Sequence, residues 1–454
     1  MYHHSKNLAS LLLICSLFIS CGLSGSEPDD ISDAPFPCED GVANGFNCEN
    51  VDLFAQVSIY QLSGESTGVF VNDIWGWTDP QTQKEYALVG LTNGTSFVDI
   101  SDPENPVVIG RLPESNLNAK FKQLTLDQYP ACDLGLGTTQ RSESITEGSS
   151  WRDLKVYNDH AFIVSDAQPH GMQVVDLTKL RDYSGEIMQL DHDALYEQFG
   201  PAHNIIINEE TGFAYAAGVT QSEICGSRSE TGLHMIDIRD PKNPTFAGCY
   251  IDSTPGNYRI APGYIHDAQC VIYDGPDSEH QGKEVCFNSA EGNVVIADVS
   301  NKENPATIGF ERQVDMQYSH QGWLTEDHAY FLMNDELDER NLGRGTKTYI
   351  WDVRDLDEPE FIGYFEHTTR SIDHNLYIKN NYVYETNYNS GLQILDASDV
   401  ANANLNRVAY FDTQPMTDAA NFDGTWSNYP YFESGMVVLS DIETGLFIVR
   451  PNLD

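Results

Sequence analysis

Short apolar runs with a period of two, the signature of half-buried β-strands, recur along the chain between turn-forming Gly, Pro, Asn and Asp. One such run is repeated. The string GTSFVDISDPENPVVIG at 94–110 returns as GLHMIDIRDPKNPTFAG at 232–248, as NVVIADVSNKENPATIG at 293–309 and as TYIWDVRDLDEPEFIG at 348–363. Looser copies surround Asp176 and Asp396, and a degenerate one starts at Gly445, so there are seven in all. Each joins one strand to the next through a turn in which proline sets φ and Asp or Asn side chains bond nearby backbone. The Asp anchors at 99, 176, 237, 298, 352 and 396 are 77, 61, 61, 54 and 44 residues apart, lengths that suit a four-stranded blade with its loops. Two more strand candidates precede each copy, for example 153–157 and 161–164. The expected architecture is an all-β, seven-bladed β-propeller. The last unit stops at Val449 without an outer strand, while Leu53–Leu62 is a spare strand near the opposite end. The N-terminal segment is therefore expected to close the ring. Helix is expected only at Asp191–Phe199.

The first twenty residues stand outside this pattern. Lys6 precedes an apolar run from Leu8 to Ile19, too short for a bilayer span but suited to a signal peptide. It ends in LFISCG, which resembles a bacterial lipobox and makes Cys21 the candidate for lipidation, with Phe18 where Leu is usual. The domain reading is a lipoprotein signal at 1–20, a tether and cysteine loop at 21–50, and the propeller at 51–454. Of the nine cysteines, Cys15 and Cys21 belong to this leader, and proximity pairs Cys38 with Cys48, Cys225 with Cys249 and Cys270 with Cys286. Such bridges belong to an oxidising compartment, and the expected location is the outer membrane or cell surface. Cys132 is left over, in an apparent insertion at 113–150.

Charge narrows the partners. The 454 residues carry 25 basic and 69 acidic side chains, a formal charge of −44, so phosphate-rich nucleic acid is an unfavourable partner. Membrane association is expected through the lipid alone.

Aligning the seven units at the start of their first strand produces a second register: Asn72, Arg152, His203, His266, His320, His374 and Asp423. The residues that follow are Asp73, Asp153, Asn204, Asp267, Gln321, Asn375 and Gly424. The innermost strand of a blade lines the central channel, so one residue per blade at one depth forms a ring. Four consecutive blades then present imidazoles, a candidate site for zinc, copper, iron or nickel with Asp267 or Asp423 as a further oxygen ligand. The competing account has these residues tying neighbouring blades together through backbone hydrogen bonds. His160 and His170 fall outside the register and are expected to be structural.

Asp335, Glu336, Asp338 and Glu339 concentrate carboxylates in one loop and are candidate calcium ligands, but EF-hand spacing is absent and a solvated acidic loop is the expected account. The segment GESTG at 64–68 fits the GxSxG pattern but lies between β-strands, without the strand–turn–helix setting of a nucleophile elbow. Gly135 and Gly137 lack the third glycine of a dinucleotide loop.

The repeats resemble the LVIVD repeat, and the whole pattern resembles the choice-of-anchor B family of secreted bacterial proteins. The resemblance rests on Cys38 to Cys48 leading into VDL at 51–53, WRDL at 151–154, HGMQ at 170–173, AHN at 202–204, HDAQC at 266–270, HQGW at 320–323, NDELDE at 334–339, DHN at 373–375 and WSNYP at 426–430. It implies a propeller-like fold with a variable membrane anchor and no assigned activity. Two functions fit. One is a surface module binding a glycan, peptide or protein on faces carrying Trp75, Trp77, Trp323 and Trp426. The other is a metal-dependent hydrolase or oxidase with the four histidines as ligands and Asp153 or Asp267 as general base.

Overall fold

The computed structural model describes residues 34–115, 151–167, 170–219, 222, 224–225, 232–254, 263–313 and 315–453. Cys21, Cys132 and most of the insertion lie outside the described residues. Seven sheets are present, each ordered from an inner to an outer strand and antiparallel except where Met188–Gln189 adds in parallel to the outer strand of the first. The seven inner strands are Val71–Thr78, Arg152–Tyr157, Asn204–Asn208, Asp267–Ile272, Ser319–Leu324, Leu376–Lys379 and Thr425–Tyr429, for blades 1 to 7. The fold is a seven-bladed β-propeller.

The repeated turn has one mechanism. The Asp that ends the third strand accepts the backbone N–H two residues on: Asp99 from Ser101, Asp237 from Arg239, Asp298 from Ser300, Asp352 from Arg354 and Asp396 from Ser398, at 2.8–3.1 Å. This local bond offers the chain a turn in place of continued strand. Beyond it, the fourth strand is pinned by a bulge, as between Met235 and Ile236 or Ile296 and Ala297. The glycine that closes each repeat lets the next blade approach. A Cβ on Gly248 would run into the carbonyl of Lys302 in the turn of blade 4, and one on Gly309 into that of Leu356 in blade 5.

Apolar faces of adjacent blades bury one another, so the core is distributed between blades. Ile206, Tyr215 and Met235 of blade 3 pack with Cys286, Val295 and Ala297 of blade 4, and Phe287 and Ile296 pack with Phe331, Tyr349 and Trp351 of blade 5. Each fully buried Ile, Val, Met or Phe side chain among them contributes about 1.5–3 kcal/mol on removal from water. Polar ties supplement this packing: Arg181 of blade 2 bonds both oxygens of Asp79 in blade 1, at 2.9 and 2.6 Å.

The ring closes as the sequence suggests, in a slightly different register. Val51–Val57, rather than Leu53–Leu62, supplies the outer strand of blade 7, pairing Val51 with Pro451 and Val57 with Leu446. The strand stops because Ser58 caps a short helix, Ile59–Ser63, in which Ser58 and Gln61 cap each other's backbone N–H. The compact unit runs from Ala34 to Asp454 and includes the Cys38–Cys48 hairpin, whose strand Phe46–Glu49 extends blade 6. All three expected disulfides are formed. The expected helix at Asp191–Phe199 is not. Its centre, Ala194–Tyr196, is the outer strand of blade 2, paired with Met172–Val174, because the sheet edge offers hydrogen bonds that override local helix preference. Among the described residues no helix is long and apolar enough to cross a membrane.

Candidate functional site

Four consecutive inner strands bring His203, His266, His320 and His374 together, with successive ring centroids 4.6, 4.2 and 4.3 Å apart. They line a cavity of about 760 Å³ at one mouth of the channel, with Glu336, Tyr388 and Trp426 among its other walls. The histidine register expected from the repeats therefore holds in blades 3 to 6.

Three of the four rings are oriented from behind, while His320 Nδ1 has no hydrogen-bond partner among the described residues. His266 Nδ1 donates to the carbonyl of His320 at 2.9 Å and His374 Nδ1 to that of Trp426 at 2.6 Å. A carbonyl only accepts, so the proton is on Nδ1 and Nε2 keeps its lone pair. His203 Nδ1 lies 3.0 Å from the Asp166 carboxylate, which imposes the same tautomer. These bonds also lace one inner strand to the next, so blade-tying and ring orientation are here one device.

Glu336 completes the arc. Its carboxylate lies 3.7 Å from His320 Nε2 and 3.6 Å from His374 Nε2, and these three side chains form a group whose donor atoms all lie within 4.8 Å of one another, able to hold a metal ion. Two ligands about 2.1 Å from one ion at a tetrahedral angle are about 3.4 Å apart, close to the separations here. Glu336 accepts a hydrogen bond from Tyr388 at 3.0 Å, and burial still pushes its carboxyl up to about 7. Burial, then neighbouring imidazoles, push His266 and His320 well below the usual range, and burial takes His374 down to about 3. His203 shifts upward: burial opposes its charge, but Asp166 outweighs it. Three neutral imidazoles are the protonation state a metal requires.

The other residues in the expected ring go elsewhere, and none but Asp423 lines this cavity. Arg152 is enclosed, donating to the Leu91 carbonyl at 3.1 Å and lying 2.9 Å from His170 Nε2. Asn72 is buried. In blade 7 the carbonyl that meets His374 belongs to Trp426, so Trp426 and not Asp423 occupies the register. Asp423 is an exposed loop residue on the cavity rim. One residue deeper, the second ring binds blades: Asp153 accepts Leu154 and Ile205 N–H and pairs with Lys155 at 2.6 Å, Asn204 donates to His266 O, Gln321 exchanges two hydrogen bonds with Leu376, and Asn375 donates to Ser427. Asp73 and Asp267 sit around Lys155 too, pushed up to about 7 and about 8 by burial and by Asp153. Asp267 faces a second cavity, of about 510 Å³, with Trp75 and Trp323. The candidate bases Asp153 and Asp267 and the candidate oxygen ligands Asp267 and Asp423 are thus not the carboxylate beside the imidazoles.

The acidic loop is neither solvated nor one constellation. Asp335, Asp338 and Glu339 are buried. Asp335 accepts backbone N–H groups of Gln317 and Tyr318, and Asp338 accepts the Tyr349 hydroxyl, so these carboxyls shape the loop while Glu336 alone reaches the cavity. His160 and His170 bond backbone carbonyls, as structural histidines do. In a second grouping, Asp277, His280 and Asp357, the imidazole has no lone pair free for a metal, because Lys283 donates to His280 Nδ1 and Nε2 donates to Asp357. Sequence reasoning missed Asp166, Tyr388 and Glu443 in the wall; none recurs with the repeat.

The family model of the LVIVD repeat matches residues 83–113 and 374–409. This chain carries LVIVD repeats. No curated protein matches the chain. Among solved structures, the Swd1 β-propeller domain of Myceliophteria thermophila is similar at 10% identity, with a TM-score of 0.50 over 85% of this chain and 98% of that one. A periplasmic gluconolactonase of Pseudomonas aeruginosa is similar at 9% identity and a TM-score of 0.47 over 76% and 85%, and a protein from Lactobacillus plantarum at 12% and 0.46 over 82% and 88%. At 10% identity the likeness to the Swd1 domain is one of fold alone.

Proposed function

We propose that this protein is an extracytoplasmic propeller, tethered by a lipid on Cys21, that holds a divalent transition metal at the histidine mouth and binds its ligand there. The observation that carries the reading is the tautomer. Three of the four imidazoles give Nδ1–H to a fixed oxygen, as metal-ligating histidines do, and Glu336 stands at ligand spacing from two Nε2 atoms. His320, His374 and Glu336 form the primary set, with His266 and His203 next along the arc. Imidazole and one carboxylate favour zinc, iron, nickel or copper over calcium or magnesium. The three disulfides and the leader support the location.

A second reading, a metal-dependent hydrolase or oxidase, has one observation in its favour. Two histidines and a carboxylate leave coordination positions open for water or substrate, and Glu443, raised to about 7 by burial, lines the same cavity as a candidate base.

Elemental analysis of untagged protein tests the site: about one equivalent of transition metal is expected, falling below a tenth in His320→Ala/His374→Ala. Absence of metal, combined with a thermal midpoint indifferent to chelator, removes the metal from both readings.

A further inference from the structure

The imidazoles occupy one part of the cavity wall; much of the rest is acid and aromatic. Asp166 of blade 2 and Asp423 and Glu443 of blade 7 line it together with Glu336, and among the described residues no lysine or arginine does. Asp166 is engaged by His203, and Glu443 accepts the Gly424 N–H at 2.9 Å. Beside these carboxylates stand large aromatic side chains that are partly exposed: Phe70 is 47% exposed and Trp151 44%. Ring faces and carboxylates attract the same kind of ligand, because the ring quadrupole is negative at its face. The chain supplies its own example at the rim, where the Arg340 guanidinium carbon lies 4.7 Å from the centroid of Phe422.

Charge decides between ligand classes. An anion entering here meets four acidic side chains and, beyond them, a protein of net charge −44. A neutral saccharide finds the ring faces but leaves the acids unused, whereas a cation engages both. The volume, about 760 Å³, is that of a small-ligand site.

We propose that this mouth recognises an organic cation, an alkylammonium or guanidinium group, seated among Asp166, Asp423, Glu443 and the rings of Phe70 and Trp151. The group belongs either to a small amine or to a basic side chain of a peptide. The inference rests on the reading of the mouth as a ligand site and does not require the metal.

Titration calorimetry on the full protein tests it with four probes: cadaverine, the tripeptide Gly-Lys-Gly with its C-terminus amidated, the tripeptide Gly-Glu-Gly, and cellotriose. One or both cationic probes are expected to bind at least about tenfold more tightly than the other two, and which of them does so identifies the source. Their affinity is expected to fall several-fold between about 50 and 300 mM NaCl, as screening weakens exposed charge pairs. Asp423→Asn/Glu443→Gln is expected to lower it about tenfold or more while thermal midpoint and metal content hold. Preference for cellotriose, cation binding indifferent to the double variant, or no binding by any probe overturns the proposal. Should the amines bind protein that contains no metal, the metal reading fails and the cation site stands.

Discussion

A histidine that gives one ring proton to a fixed backbone oxygen has a single nitrogen left to offer, and its surroundings decide what that nitrogen does. His374 illustrates one outcome, with Nε2 turned toward Glu336; His170 illustrates another, with Nε2 beside the Arg152 guanidinium. Burial first, then Arg152, pushes His170 down to about 3. An unfolded-state imidazole titrates near ~6.5, so from there down to about 3 the unfolded chain binds a proton that the folded protein does not. Stability therefore falls as pH falls through that window. In His170→Asn the acid limb of a urea-unfolding series from pH 7 to pH 4 is expected to flatten, by at most about 1.4 kcal/mol per pH unit; an unaltered slope contradicts the assignment. At this scale the sequence disclosed the four imidazoles because they recur once per blade. It could not disclose Glu336, which stands among three other carboxyls and is distinguished from them only by which way the loop is pulled. Nor could it place Trp426, since the loop before blade 7 sets a register that residue type alone does not reveal.

Strands and turns were more legible, because each repeat carries its own instructions. The Asp that accepts the N–H two residues later and the glycine that admits the next blade are local signals, and they were visible wherever the string returned. Gly248→Ala is expected to destabilise the protein by about 1–3 kcal/mol, because the added methyl meets the Lys302 carbonyl, a backbone atom that cannot swing aside. Denaturant unfolding measures this, and a change under about 0.5 kcal/mol sinks the idea. Elements defined by tertiary pairing were less legible. Ala194–Tyr196 reads as helix until Met172–Val174 offers it an edge, and the closing strand was carried five residues too far, to Leu62 instead of Val57, because a cap at Ser58, rather than a change in polarity, ends it. Removing residues 34–57 is expected to leave Gly445–Pro451 as an open edge. Aggregation at micromolar concentration, measured by light scattering, should follow, while removal of 34–41 alone should leave the protein monomeric.

For the molecule as a whole, a charge of −44 is a standing self-repulsion that favours solubility and opposes compactness. Sodium chloride added from about 0.02 to 0.3 M is expected to raise the thermal midpoint by screening it, as scanning calorimetry reads directly; a falling midpoint shows instead that favourable ion pairs dominate. The sevenfold architecture itself could be counted from the repeats. The closing strand has a further consequence, one of timing. Val51 is among the first residues of the folded part to be synthesised, and its partner Pro451 among the last. Six blades can assemble as the chain emerges, yet the disk cannot lock until the final strand arrives. Completion thus requires contact between the two ends of the polypeptide, a slow step of very high contact order. A ring built this way stays ajar throughout its synthesis, and an unfinished or clipped copy, lacking its last strand, has no means of shutting.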